Sequence, residues 1–146
     1  MHWKIYFGKS PRRTRIKKSV RNIVKISDKK LKQDAEYKKI CKEIDAEAKE
    51  KKLWTCFFCG KPLGVTPDHH HIAGRQGLSD NNIPLYLDKE GIILCHRTCH
   101  REYHYILIED LLKAPYYKEL MKKIHYLCRS KYHNMKLKHS EHDKDL

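Results

Sequence analysis

The chain has 146 residues, a formal net charge of +14, 34% charged residues and a mean hydropathy of −0.81. That length allows one ordinary domain, and the thin apolar supply predicts a small core that a bound metal would help to stabilise. No apolar run approaches the ~20 residues of a membrane span, and the start MHWKIYFGKS lacks the apolar stretch of a signal peptide. A cytoplasmic protein is therefore expected, in which thiols stay reduced and paired cysteines bind metal more often than each other.

The charge is unevenly spread. Residues 1–52 carry 18 Lys/Arg against 7 Asp/Glu, residues 53–114 carry 6 against 7, and residues 115–146 carry 8 against 4. A near-neutral centre between basic flanks suggests arms that hold a polyanion around a working site, with nucleic acid as the expected partner. Residues 1–27 hold nine basic residues and no acidic one, broken by Gly8 and Pro11. This stretch is read as a basic flexible arm, and Arg12, Arg13, Arg15, Lys17 and Lys18 are its candidate phosphate contacts.

From 28 to 52 the character changes. Ser27 or Asp28 is a helix cap, and Leu31, Ala35, Ile40, Ile44 and Ala48 recur at helical spacing on a charged rod. Asp28/Lys32, Asp34/Lys38, Asp45/Lys49 and Glu47/Lys51 are acid-first pairs in the favourable order. The narrow stripe is expected to pack on the module that follows, with Cys41 beside it.

Residues 53–114 hold four of the six cysteines and six of the eleven histidines. Cys56 and Cys59, two residues apart, form one half of a tetrahedral zinc site, and Gly60 frees the backbone just beyond them. The other half is expected from Cys95 and Cys99. His96 stands at the regular offset before Cys99 and is the alternative to Cys95, which is preferred because it ends the apolar strand Gly91–Leu94. Between the pairs, Val65–Ile72 reads as a strand entered by a proline and ended by Gly74. It carries His69, His70 and His71 after Asp68. A helix opening at Cys99 places His100 and His104 on one face. Two strands and a helix with converging imidazoles make an open metal site, separate from the thiolate one.

CxxC, then HHI followed by Gly-Arg, a strand ending LC, and CH with a further His four residues on resembles the HNH nucleases of the ββα-metal fold. The similarity is closest to small phage and prokaryotic members clamped by a zinc knuckle, and it spans roughly 54–105. It implies an α+β fold: a ββα-metal module over 53–114, flanked by the N-terminal helix and C-terminal helices. It also implies a DNA endonuclease in which His71 is the general base. His70 and His100 would then hold the catalytic Mg2+, Mn2+ or another divalent ion, with His104 a further ligand. Asp68 is a candidate to orient an imidazole, Arg75 to hold a phosphate, and His69 has no role in the family's pattern. The family asparagine is missing: counting from the cysteines gives Glu90 or Gly91, while Asn81 and Asn82 lie earlier in the loop. A homodimer or a larger phage or mobile-element complex fits such a protein. The second reading is a non-catalytic zinc-stabilised nucleic-acid-binding module.

Beyond the module, residues 106–112 are expected to continue the helix to Pro115. A further helix carries Tyr117, Leu120, Met121, Ile124 and Leu127 as core or dimer contact. From Arg129 a fraying polar tail is expected, with His133, His139 and His142 scattered through it.

Overall fold

The computed structural model describes residues 27–143, so the basic arm with Arg12, Arg13, Arg15, Lys17 and Lys18 lies outside the described residues. Within them the order is α1 (Asp28–Glu50), β1 (Asp68–His71), a 3-10 turn (Lys89–Gly91), β2 (Ile92–Cys95), α2 (Arg97–Tyr105), α3 (Ile108–Lys113), α4 (Tyr117–Leu127) and α5 (Arg129–Asp143). The described chain is thus α+β, with helices around a two-stranded antiparallel sheet.

Helix α1 forms where the acid-first pairs and the cap predict it. The Ser27 hydroxyl accepts from the Lys30 backbone N–H at 3.3 Å, satisfying one of the donors that a helix start leaves open. Lys52, at φ 55°, adopts the left-handed conformation just past the helix end, and the Leu53 N–H returns to the Ala48 carbonyl at 2.8 Å. No residue of α1 is fully buried. Its stripe packs on the module only in its second half: Leu31 and Ala35 are exposed, Ile40 is half-buried, and Ile44 and Ala48 lie against Cys56, Leu63, Leu94 and Cys95.

The sheet pairs Asp68 with Cys95, His69 with Leu94, His70 with Ile93 and His71 with Ile92. All four residues of β2 are buried, as a short continuous apolar run predicts. β1 is shorter than expected. Pro67 cannot donate to a ladder, and before it Val65 is 94% exposed in a bend. Two further hydrogen bonds extend the tie between the segments, from Phe57 N–H to the Leu94 carbonyl (2.9 Å) and from Ile72 N–H to the Gly91 carbonyl (3.0 Å).

The main core gathers Ile72, Leu85, Ile93 and Leu111 with Leu120, Met121, Ile124 and Leu127 of α4. The α4 stripe therefore belongs to the core of its own chain. Gly91 permits this packing, because a Cβ there would come within 2.9 Å of Leu127 Cδ2.

Two expectations are corrected. The helix after Cys99 does not run on to Pro115: Ile106 and Leu107 are extended, at ψ 135° and 148°, and α3 restarts at Ile108 so that Leu111 is buried. No glycine or proline marks the break, and the packing of α3 on α4 and α5 selects it. The tail from Arg129 is a helix, joined to α4 through the extended Cys128. Tyr132 and Met135 pack on the core, and the Tyr117 hydroxyl lies 2.8 Å from Nδ1 of the buried His139. The three recur at helical spacing, but one tyrosine, one methionine and one histidine make a weak stripe.

Truncation after Cys128 should therefore lower the unfolding free energy by roughly 2–3 kcal/mol, from two half-buried side chains leaving the core. Urea denaturation of the full and shortened chains measures this, and equal stability would return the segment to a frayed tail.

Candidate metal centres

Two groups of side chains have donor atoms converging within 4.8 Å of one another: Cys56, Cys59, His96 and Cys99, and separately His70, His100 and His104. The first is built by a tight turn and a helix start. The Cys56 N–H donates to the Lys61 carbonyl and the Gly60 N–H to the Cys56 carbonyl, both at 2.8 Å, with Gly60 at φ +70°. This turn points both sulfurs one way. From the other side, His96 caps α2 and Cys99 lies three residues on, a spacing that sets two side chains on one helix face.

The group able to hold a metal thus includes His96, the alternative, and not the preferred Cys95. Cys95 ends β2 fully buried, with its Sγ 3.6 Å from the Asp68 carbonyl. It packs beside Cys56 in the same small buried cluster, but its sulfur is not among the four converging donor atoms. The His96 Nε2–H donates to the Pro62 carbonyl (3.0 Å), which leaves Nδ1 as a lone pair 3.3 Å from Cys59 Sγ and 3.9 Å from Cys99 Sγ. Burial pushes the Cys56 thiol up, but N–H groups of Cys59, His96 and Phe58 outweigh it and bring the pKa down to about 7. Burial and bonds to the neighbouring sulfurs push Cys99 up to about 12. Three sulfurs and one imidazole form a closed donor set that suits zinc.

The second group joins β1 to α2. His70 is buried, among Phe58 and Tyr103, with its ring centroid 4.7 Å from that of His100 and 5.3 Å from that of His104. Asp68 orients His100 as expected: the His100 Nδ1–H donates to Asp68 Oδ2 at 3.0 Å, and Arg97 Nε lies 3.5 Å from the other oxygen. Burial raises the Asp68 carboxyl, and the bond from His100 with the charge of Arg97 more than offsets it. His100 Nε2 is then a lone pair, 3.0 Å from His104 Nε2, a separation that needs a proton or a cation between them. Burial, and then the charges of His100 and His104, push His70 down to about 4. Three neutral imidazoles fit a first-row transition ion; Mg2+, which prefers oxygen donors, fits them poorly.

Along β1 the side chains alternate, so His69 and His71 face the opposite side from His70. There α1 covers them. His69 Nε2 donates to Asp45 Oδ1 at 2.9 Å, and the Tyr37 ring stacks on His71 with centroids 5.5 Å apart. His71 Nε2–H donates to the Tyr86 carbonyl (3.1 Å), so Nδ1 keeps its lone pair. Burial holds the His71 imidazole below its ordinary pKa, against the Tyr86 bond, which raises it. Neither Asn81 nor Asn82 makes this contact. Sequence reasoning missed Tyr37, Asp45 and Tyr86, since a helix residue and a backbone carbonyl carry no motif. Arg75 lies with its guanidinium 5.4 Å from the Tyr37 ring centroid.

Comparison with known proteins finds no matching family model, no matching curated protein and no matching solved structure. No described helix is long and apolar enough to cross a membrane. What the fold and its sites define is a small α+β chain with two Cys/His groups able to hold metal.

His96→Ala or Cys59→Ala should abolish stoichiometric zinc and unfold the module, since such a site contributes on the order of 10 kcal/mol of binding energy. Cys95→Ala should keep its zinc, and metal analysis of the purified variants separates the two assignments.

A second expectation concerns acid. His70 titrates near 6.5 when unfolded and near 4 when folded, so between those values the unfolded chain binds more protons and stability falls as pH falls. The full loss is about 3 kcal/mol below about pH 4 in protein without an ion on the triad. Denaturation of wild type and His70→Gln across this window measures it, because the acid sensitivity of the zinc knuckle cancels in the comparison.

Proposed function

We propose that the chain is a metal-dependent endonuclease of the HNH type that hydrolyses a DNA phosphodiester bond, with β1, β2 and α2 as its ββα-metal unit. The observation that carries this reading is the pairing of a three-imidazole cluster with a fourth imidazole, His71, on the adjoining residue of one strand. A binding module has no use for an unprotonated base next to such a cluster. The charge of +14 supports a polyanionic substrate.

In this reading His70, His100 and His104 would hold a divalent ion, and the chemistry it would supply there is that of a Lewis acid toward a phosphodiester. His71 takes the proton of the attacking water at Nδ1. Its depressed pKa keeps it unprotonated at neutral pH, and the Tyr86 carbonyl fixes the tautomer that leaves Nδ1 open. That backbone carbonyl replaces the missing asparagine as the group that orients the base. Asp68, itself held by Arg97, keeps the His100 ring turned to the ion. Because His70 and His71 lie on opposite faces, the substrate phosphate would sit at the edge of β1 away from β2, within reach of both.

Purified protein should nick supercoiled plasmid with Mn2+ or another transition ion, and EDTA should stop it. His71→Ala should slow cleavage by roughly 10²–10⁴ while zinc, fold and DNA binding persist. His100→Ala should be partly restored by more Mn2+, which does nothing for His71→Ala. Tight DNA binding without cleavage in any ion would instead support the zinc-stabilised binding module.

A further inference from the structure

Beside His71 lies a hollow of about 340 Å³ between the first turns of α1, Arg75 and Tyr86. Its volume is at the lower end of the ~300–1,000 Å³ of small-ligand sites. Lys29, Lys30 and Arg75 bring three positive charges to its wall, against the single carboxylate of Asp34. Among the described residues none of these three cations forms an ion pair with a carboxylate. Tyr37 and Tyr86 also line the hollow, with the Arg75 guanidinium 5.4 Å from the Tyr37 ring centroid, and tyrosine and arginine are side chains on which a base can stack. Gln33 adds an amide able to donate to and accept from a base edge. Two of these residues also form the setting of His71, since Tyr37 stacks on its ring and the Tyr86 carbonyl accepts a hydrogen bond from its Nε2–H.

We propose that this hollow is a subsite for one unpaired nucleotide of the substrate strand, next to the phosphate at His71, with Lys29, Lys30 and Arg75 on its phosphates and Tyr86 with Arg75 on its base. This rests on the endonuclease reading for the position of the cut, and adds that the substrate is single-stranded, or locally opened, at that point. The reason is steric. In a duplex a base has both faces covered by its neighbours, so a recessed aromatic surface is reached only by a base turned out of the stack. A site for duplex alone would need the cations and no rings. Helix α1 thereby acquires a function beyond packing, because its first turns supply Lys29, Lys30, Gln33 and Tyr37 from one side.

The test uses the full chain with its zinc, carrying His71→Ala so that binding is read without cleavage, and without added divalent ion. The probe is a short DNA oligonucleotide with an internal 2-aminopurine, offered single-stranded or annealed to its complement. The single strand should bind at least about tenfold tighter than the duplex, with quenching of the 2-aminopurine on stacking. Tyr86→Ala in this background removes the ring and leaves the backbone in place, and should remove the quenching with about tenfold of the affinity; Tyr86→Trp should retain both. Lys30→Ala, exposed on the first turn of α1, and Gln33→Ala, half-buried one turn on, should weaken the single strand and not the duplex without altering the melting temperature.

Equal affinity for the two forms, or quenching that survives Tyr86→Ala, overturns the subsite even if plasmid is cut. Selective single-strand binding that depends on Tyr86, in a protein that cuts nothing in any ion, keeps the subsite and overturns the endonuclease reading.

Discussion

The convergence of Cys56, Cys59, His96 and Cys99 is the constraint on which the rest depends. The knuckle and the start of α2 are about forty residues apart in the chain, and the intervening segment has two four-residue strands joined by a long loop that ends in a 3-10 turn. They meet in a small buried cluster of Cys56, Leu63, Leu94 and Cys95. A zinc ion shared by the four donors would supply a cross-link between them and fix the direction in which α2 leaves. His100 follows the last donor directly and His104 lies one turn further, so the positions of both imidazoles are inherited from the closed site.

The sheet then divides the chemistry between its two faces. On one side His70 is pressed among aromatic rings against α2, where burial keeps it neutral and therefore available as a ligand. On the other, His69 and His71 meet α1. This helix has no fully buried residue, yet it touches the module at several polar points: Asp45 to His69, Tyr37 to His71, and Glu43 and Glu47 to Lys89 of the 3-10 turn. Exposed ion pairs contribute little stability, so these contacts matter more for where α1 lies than for how firmly the chain folds. Their effect is to bring a row of basic and aromatic side chains alongside His71.

The two donor sets also differ in ways that suit different tasks. The sulfur-rich set is closed, with its imidazole locked by the Pro62 carbonyl. The histidine set has three donors only, one of them oriented by a carboxylate and another, His104, exposed. An ion there would retain positions for other ligands, which is the usual division between structural and reactive metal sites.

The sequence by itself determined the elements with a local physical cause. The acid-first pairs and the Ser27 cap set α1, the run Ile92–Leu94 set β2, and the spacing of Leu120, Met121, Ile124 and Leu127 set a core-facing α4. The two-residue gap of Cys56 and Cys59, and the four-residue spacing of His100 and His104, likewise marked those residues as neighbours. Only the tertiary structure decided between Cys95 and His96, because the choice depends on where the strand stops pleating and the helix begins. It also broke the chain at Ile106 and Leu107 and made α5 a helix. In both places the local signal is weak and the burial of Leu111, Tyr132 and Met135 supplies the difference. The setting of His71 was the least legible part. Its partners are an aromatic ring thirty-four positions upstream and a main-chain carbonyl, and a carbonyl is common to every residue until the fold brings one of them within 3.1 Å.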